Sequence, residues 1–277
     1  MDFNLYNLNN LKNFKTLKYA HRRSFTSVAR NTLNWLVPKI CISCKQELAQ
    51  DHHPCCRLCY AKLPFQSHCC AQCGQSYSGN TDYCGRCISK PPSFDTCFCP
   101  FRYETPVDKY VKAFKYHARP ELAKTLAELL FSEIEANGLE MPELLMPVPM
   151  HISKLRKRGY NQSLLLAQQL SKLMGVPYDR RLIRKTRATL PQAELSLKLR
   201  QSNLSGSFEF IRQADAKSHS LKKYRTFVNK KKPRPLPKHV AIVDDVFTTG
   251  ATASELAKIL RKNGVDYIQV WGVAHTS

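Results

Sequence analysis

Four C-x-x-C pairs stand almost in step along one short stretch: Cys41/Cys44, Cys56/Cys59, Cys70/Cys73 and Cys84/Cys87, with starts 15, 14 and 14 residues apart. No other feature constrains the fold as tightly, because a segment this short and cysteine-rich lacks a large apolar core of its own. Two thiolates separated by two residues grip one metal ion from a tight turn, and a second pair completes a tetrahedron of sulfur around Zn2+. Eight sulfurs suit two ions. Nearest neighbours would place Cys41, Cys44, Cys56 and Cys59 on one ion and Cys70, Cys73, Cys84 and Cys87 on the other; an interleaved arrangement would exchange partners. Gly74 and Gly85 fit the turns of such knuckles. Cys55 and Cys69 each precede a pair member and could substitute for it, and His52, His53 and His68 are further candidate ligands, although eight sulfurs already suffice. Cys97 and Cys99 alternate in FDTCFCPFRY, which reads as a strand, so they are expected to be buried or spare thiols. Disulfides are the competing use, but they belong to oxidising compartments. The N-terminus, with Lys12, Lys15, Lys18, Arg22, Arg23 and Arg30, lacks the continuous apolar core of a secretory signal. With no apolar run of about 18 residues either, no membrane span is expected, and the expected location is the cytoplasm.

A second stretch, VAIVDDVFTTGATASELAKIL at 240–260, reads as strand, short turn and helix. Val240 to Val243 form a continuous apolar run, as in a strand buried on both faces of a parallel sheet. Ala253, Leu256, Ala257, Ile259 and Leu260 then recur at helical spacing. Ligands of open α/β sheets sit beyond the carboxyl ends of strands, and free amides at a helix start attract phosphate. Thr248, Thr249 and Thr252 add hydroxyl donors, Ala251 opens the helix, and Gly250 lets the backbone come close. No Gly-Lys-Ser/Thr follows, so this is not the ATP-type loop. Asp244 and Asp245 would repel a phosphate, so they must serve otherwise, by accepting hydrogen bonds from sugar hydroxyls or by anchoring Mg2+. A ribose bearing a 5′-phosphate satisfies both halves, whereas a plain surface turn would have no need of so many donors.

The chain is strongly basic, with 43 Lys and Arg against 21 Asp and Glu and a net charge of +22. The excess is concentrated: residues 1–40 carry +6, 150–203 carry +10 and 209–239 carry +8, leaving the rest near balance. Three such segments in one chain suit a polyanion. Residues 211–237, with KKYRTFVNKKKPRPLPK, combine a lysine run with spaced prolines and read as a break between elements. Tyr224 and Phe227 lie among those cations, where bases could stack on them; Phe208 and Phe210 read more simply as the end of a core element.

The decapeptide 243–252 resembles the phosphoribosyl diphosphate (PRPP) loop of type I phosphoribosyltransferases. From about residue 35 to the end, the chain resembles the ComF family of competence proteins, which includes GntX-like members. Four further pieces carry that likeness: the cysteine module ending in CGRCISKPPSFD, YVKAFKYH at 110–117, MPVPMHISKLRKRGYNQS at 146–163 and RATLPQAELSLKLRQSNLSGSF at 187–208. The resemblance implies an α/β fold, a mostly parallel sheet of the type I phosphoribosyltransferase kind, after an N-terminal zinc-ribbon module. It implies a pyrophosphate-binding place at Pro147 to Met150 with Lys154, Arg156, Lys157 and Arg158. Arg187, Gln192 and Arg200 would fall in the superfamily's mobile active-site loop. PRPP with Mg2+ would be the small ligand, and single-stranded DNA the macromolecular one.

The expected layout is a basic extension at 1–34, a double zinc ribbon at 35–92 and a phosphoribosyltransferase-like domain at 93–277 carrying a basic insertion near 211–237. Helices are expected near 120–136, 161–174 and 251–263, and strands near 96–103, 144–149, 240–243 and 267–273. Three functions compete: a ComF-like handler of imported single strands at the inner face of the cytoplasmic membrane; an active phosphoribosyltransferase, with no acceptor pocket evident; and an adaptor whose zinc module docks on a DNA-uptake helicase or inner-membrane channel.

Overall fold

The computed structural model describes residues 39–48, 53–187, 206–211 and 236–276. The expectations placed on 1–34, most of the basic insertion, His52, Gln192, Arg200, Tyr224 and Phe227 fall outside these residues. In chain order the helices are α1 (Arg57–Ala61), α2 (Gly85–Ser89), α3 (Val107–Tyr116), α4 (Leu122–Ala136), α5 (Ile152–Arg158), α6 (Gln162–Met174) and α7 (Ala251–Lys262). The strands are β1 (Thr96–Phe98), β2 (Phe101–Arg102), β3 (Leu144–Pro147), β4 (Ile183–Lys185), β5 (Phe208–Phe210), β6 (His239–Val243), β7 (Val246–Phe247), β8 (Tyr267–Trp271) and β9 (Ala274–His275).

A parallel sheet in the order β1-β8-β6-β3 forms the centre. Its middle strand β6 is buried along its length, as its unbroken apolar run requires. Alternation divides its side chains between two cores. Ala241 and Val243 pack with Leu126 and Leu130 of α4 and Leu166 and Leu170 of α6. Val240 and Ile242 pack with Leu256 and Leu260 of α7. Helices therefore cover both faces, and the α/β expectation holds.

Three strands continue, after a shared interruption, into a second parallel sheet in the order β2-β9-β7. Phe98, Trp271 and Val243 lie in register before the break, and Phe101, Ala274 and Val246 after it. The intervening dipeptides are Cys99-Pro100, Gly272-Val273 and Asp244-Asp245. The expected single strand over 96–103 is thus two strands, since Pro100 has no N–H to give a ladder. The acidic pair occupies the equivalent break in the central strand. Phe208 ends up in the core on β5, which pairs antiparallel with β4.

The two cysteine segments dock differently. Cys41, Cys55, Tyr60 and Leu63 belong to the same buried cluster as α4 and α6. The Tyr60 hydroxyl donates to Glu133 Oε1 of α4. Burial pushes the Glu133 carboxyl up to about 7, with the Tyr60 hydrogen bond opposing it. Cys70, Cys73, Cys84 and Cys87 form a cluster of their own with Tyr77 alongside. Among the described residues no helix is long and apolar enough to cross a membrane.

Candidate functional site: two cysteine tetrads and an acidic pocket

Each cysteine tetrad is drawn from neighbouring pairs: Cys41, Cys44, Cys56 and Cys59 in one, Cys70, Cys73, Cys84 and Cys87 in the other, with all four Sγ atoms within 4.8 Å of one another. The Sγ separations are 3.8 Å for Cys44–Cys56 and 3.7 Å for Cys73–Cys84. A tetrahedron with Zn–S bonds of about 2.3 Å has edges of about 3.8 Å, so the cages are of the right size. Backbone N–H groups of Cys56 and Cys84 donate to Cys41 Sγ and Cys70 Sγ at 3.4 and 3.3 Å. Burial raises the Cys41 thiol, but amide donors from Cys44, Cys56 and Ser43 outweigh it and bring the pKa down to about 6. Burial and neighbouring sulfurs instead push Cys59 up to about 12. One tetrad thus mixes a ready thiolate with reluctant ones, and a divalent cation is what allows all four to ionise together. Cys55 and Cys69 stay outside the tetrads. Cys55 is fully buried, and Cys69 Sγ faces Gln66 Oε1 at 3.3 Å. Cys97 and Cys99 are buried with Sγ atoms 3.9 Å apart, as their alternation anticipated.

The acidic pocket lies at the end of β6. Asp245 is 5 % exposed, and Lys115 Nζ of α3 approaches its Oδ1 to 3.1 Å. The same Oδ1 accepts from Val246 N at 2.8 Å, while Oδ2 has no hydrogen-bond partner. Asp244 Oδ1 accepts from Ser163 Oγ at 2.7 Å and from Asp245 N at 2.9 Å. Burial first and the adjacent Asp245 second push the Asp244 carboxyl up to about 7, against the pull of Lys115 and Ser163. Burial opposes the charge of Lys115, but Asp245 and Asp244 together hold its pKa above the ordinary lysine value.

The turn that follows is built around Gly250, at φ +73, the residue before α7. A Cβ there would stand 2.7 Å from Phe247 Cζ, so the backbone path needs glycine twice over. Thr248 is exposed, whereas Thr249 Oγ1 is shielded from solvent without a hydrogen-bond partner. Ala251 and Thr252 begin α7.

The cationic cluster is a short helix, α5, capped at its start by His151 and ended by Gly159 in the left-handed region. Lys154 and Arg156 are exposed. Arg158 turns aside: its guanidinium carbon lies 5.3 Å from the ring centroid of Tyr116. Asn161 caps α6, accepting from Leu164 N at 3.3 Å.

A double zinc ribbon domain model matches residues 32–88. The DNA utilization protein YhgH of Salmonella typhimurium is 33% identical over 244 residues, covering 87% of this chain and 98% of that protein. Its counterpart in Escherichia coli is 32% identical over the same length. Competence protein F of Haemophilus influenzae is 33% identical over 238 residues, covering 84% of this chain and 96% of that protein.

The chain belongs to the ComF family. The cysteine tetrads lie within the matched double ribbon and offer the all-sulfur donor set that Zn2+ takes. In this ComF-family chain, motif reading alone left three residues at the acidic pocket without a role. Lys115 lies in YVKAFKYH and Ser163 ends MHISKLRKRGYNQS, so both stretches were visible but their meeting with the aspartates was not. Lys185 on β4 is the third. Burial first and Lys154 second bring its pKa down to about 8, with Asp244 pulling the other way. Its Nζ also lies 5.2 Å from the Phe208 ring centroid. No spacing in the sequence ties residue 185 to residue 244.

Proposed function

We propose that this protein handles imported single-stranded DNA in the cytoplasm during DNA utilization and natural transformation, through a domain that binds PRPP or a related ribose phosphate. The names of its relatives, DNA utilization protein and Competence protein F, support the role in DNA use. The observation that carries the ligand is the pair of buried polar atoms left unmatched on one turn: the acceptor Asp245 Oδ2 and the hydroxyl Thr249 Oγ1. A buried polar atom without a partner is costly, and a ligand that supplies the partner removes the cost. Ribose hydroxyls would donate to Asp244 and Asp245. The amides and hydroxyls from Thr248 to Thr252 would receive the 5′-phosphate. Lys154 and Lys185 would meet the diphosphate, joined by Arg156 and Arg158 where the strand does not claim them. Mg2+, when bound with the diphosphate, supplies neutralisation of its charge. Lys115 keeps the aspartate pair together in the absence of any ligand.

Titration calorimetry with PRPP and Mg2+, with ribose 5-phosphate as the simpler ligand, tests the pocket. Binding is expected in the wild type and loss of it in Asp244→Asn/Asp245→Asn; absence of binding at millimolar ligand would refute the ribose-phosphate reading. Fluorescence anisotropy with labelled oligo(dT) tests the strand, and affinity should fall steeply with salt. A wild-type protein indifferent to single strands at low salt would refute the DNA role.

A further inference from the structure

Tyr116 is the last residue of α3 and is 68 % exposed, although the two residues before it have fixed inward roles. Phe114 is fully buried, and Lys115 reaches Asp245. The helix end is held firmly. The Tyr160 hydroxyl donates to the Phe114 carbonyl, and the two rings lie 5.8 Å apart. This clamp joins the end of α3 to the turn between α5 and α6. Arg158, at the end of α5, consequently places its guanidinium over the Tyr116 ring at 5.3 Å. A second ring repeats the theme: Tyr103 lies within electrostatic reach of both Lys115 and Tyr116, with Lys112 Nζ 5.9 Å from its centroid.

A cation over an exposed aromatic ring is the pairing that single-strand binders use, the ring taking a base and the cation a phosphate or a stacking face. Arg158 covers one face of Tyr116, so exposure of this degree leaves ring surface for another plane. The remaining cations of α5, Lys154, Arg156 and Lys157, are exposed. Among the described residues none of the four stands within ion-pair distance of a carboxylate, whereas Lys112, Lys124 and Lys258 all do. Cations left unneutralised along one short helix suit a run of phosphates.

We propose that Tyr116, backed by Arg158, is a stacking platform for a base of single-stranded DNA whose backbone follows α5, next to the residue that holds the acidic pocket together. The inference rests on the DNA-handling reading above. It places the strand beside Lys115 rather than on the zinc ribbon.

The test uses the full chain and two probes of equal length: fluorescein-labelled oligo(dT) and an abasic strand with the same phosphates. Tyr116→Ala is expected to weaken oligo(dT) binding about five- to tenfold, the effect of losing one stacked base, and to leave the abasic strand unchanged. Arg158→Ala should weaken both probes. Tyr116→Trp should keep oligo(dT) affinity, and its added indole fluorescence, measured against the wild type, should be quenched as the strand binds. Equal affinity of Tyr116→Ala and wild type for oligo(dT), an equal loss on the abasic strand, or an unquenched Tyr116→Trp would each overturn the proposal. Quenching by free thymidine as efficient per nucleotide as by oligo(dT) would assign the ring to a mononucleoside and overturn the strand. Ribose 5-phosphate titration runs in parallel and should not distinguish Tyr116→Ala from wild type. If ribose 5-phosphate fails to bind the wild type while the difference between oligo(dT) and abasic strand holds, the acidic-pocket reading falls and the platform stands.

Discussion

Lys115 and the two aspartates are a charge arrangement with one cation to two anions in a shielded place. Removing one partner of such a group leaves the other charge buried and unpaired, which costs more than the pair contributed. Lys115→Ala should therefore destabilise the protein by about 3 kcal/mol at pH 8, the lower end for a buried pair because the lysine side chain is partly exposed. The loss should shrink at pH 6. Without the ammonium, which pulls the Asp244 carboxyl down, that group rises further, so the native state takes up a proton that the unfolded chain does not hold, and acid relieves the strain. Urea unfolding at the two pH values measures it, and a loss that is independent of pH would contradict the pairing. Asp244 makes a second expectation. Its carboxyl, raised to about 7 by burial and by Asp245, is protonated in mild acid, where it is a poorer acceptor for a sugar hydroxyl. Affinity for ribose 5-phosphate should rise about tenfold from pH 6 to pH 8 as that proton leaves. The ligand's own phosphate titrates nearby, so Asp244→Asn is the reference: whatever slope it retains belongs to the phosphate. The sign for stability is opposite. The native pKa lies above the unfolded value of 3.8, so this group's contribution is lost as pH climbs from about 4 to 7.

At the scale of elements, the break across the sheet decides where chemistry can occur. Asp244-Asp245, Cys99-Pro100 and Gly272-Val273 lie at one level, and each interrupts a ladder that resumes two residues later. Backbone freed from a ladder can point side chains and amides at a ligand. Gly250 is the tightest point of the turn, and Phe247 cannot easily yield. Its ring is 5.8 Å from Phe94 and 5.2 Å from His275. Gly250→Ala should cost about 1–2 kcal/mol for the left-handed backbone alone, more with the clash, and should lower ribose-phosphate affinity. Thermal melting and calorimetry would register both; an alanine variant with wild-type melting and binding would contradict this reading of the turn. Much at this scale was legible in the sequence. The apolar run of β6 and the helical spacing of α7 each rest on neighbours in the chain. Four helices were not read: α1 and α2, each five residues long within the cysteine segments, and α3 and α5. Val107, Val111 and Phe114 give α3 a buried stripe that spacing could have revealed. α5 has no buried residue, so ISKLRKR offered charge but no period. The approach of Lys115 to Asp245, and of Lys185 to Asp244, depends on how separate elements pack, and no local pattern records that.

The whole molecule joins its zinc ribbons to its sheet through two unequal seams. The first tetrad merges with the main core: Cys41 is fully buried there, Leu63 packs alongside, and Tyr60 binds Glu133 of α4. The second keeps its four sulfurs in a separate cluster and meets the sheet at its margin, where Gly74 fits against Cys97 of β1. Metal binding at ribbon sites is folding free energy, since the unfolded chain has no preformed cage. Loss of the first ion should then propagate into the packing of α4 and α6, and loss of the second should remain more local. Cys41→Ser/Cys44→Ser is expected to lower the melting temperature more than Cys84→Ser/Cys87→Ser, although each removes one equivalent of zinc by elemental analysis. The second variant should retain ribose 5-phosphate binding better than the first, because the pocket's Lys115 and Ser163 stand on α3 and α6, which share the first tetrad's core. Equal melting temperatures at equal zinc loss, or the reverse order, would mean that the buried contacts of Cys41, Tyr60 and Leu63 do not bind the ribbon to the sheet in solution.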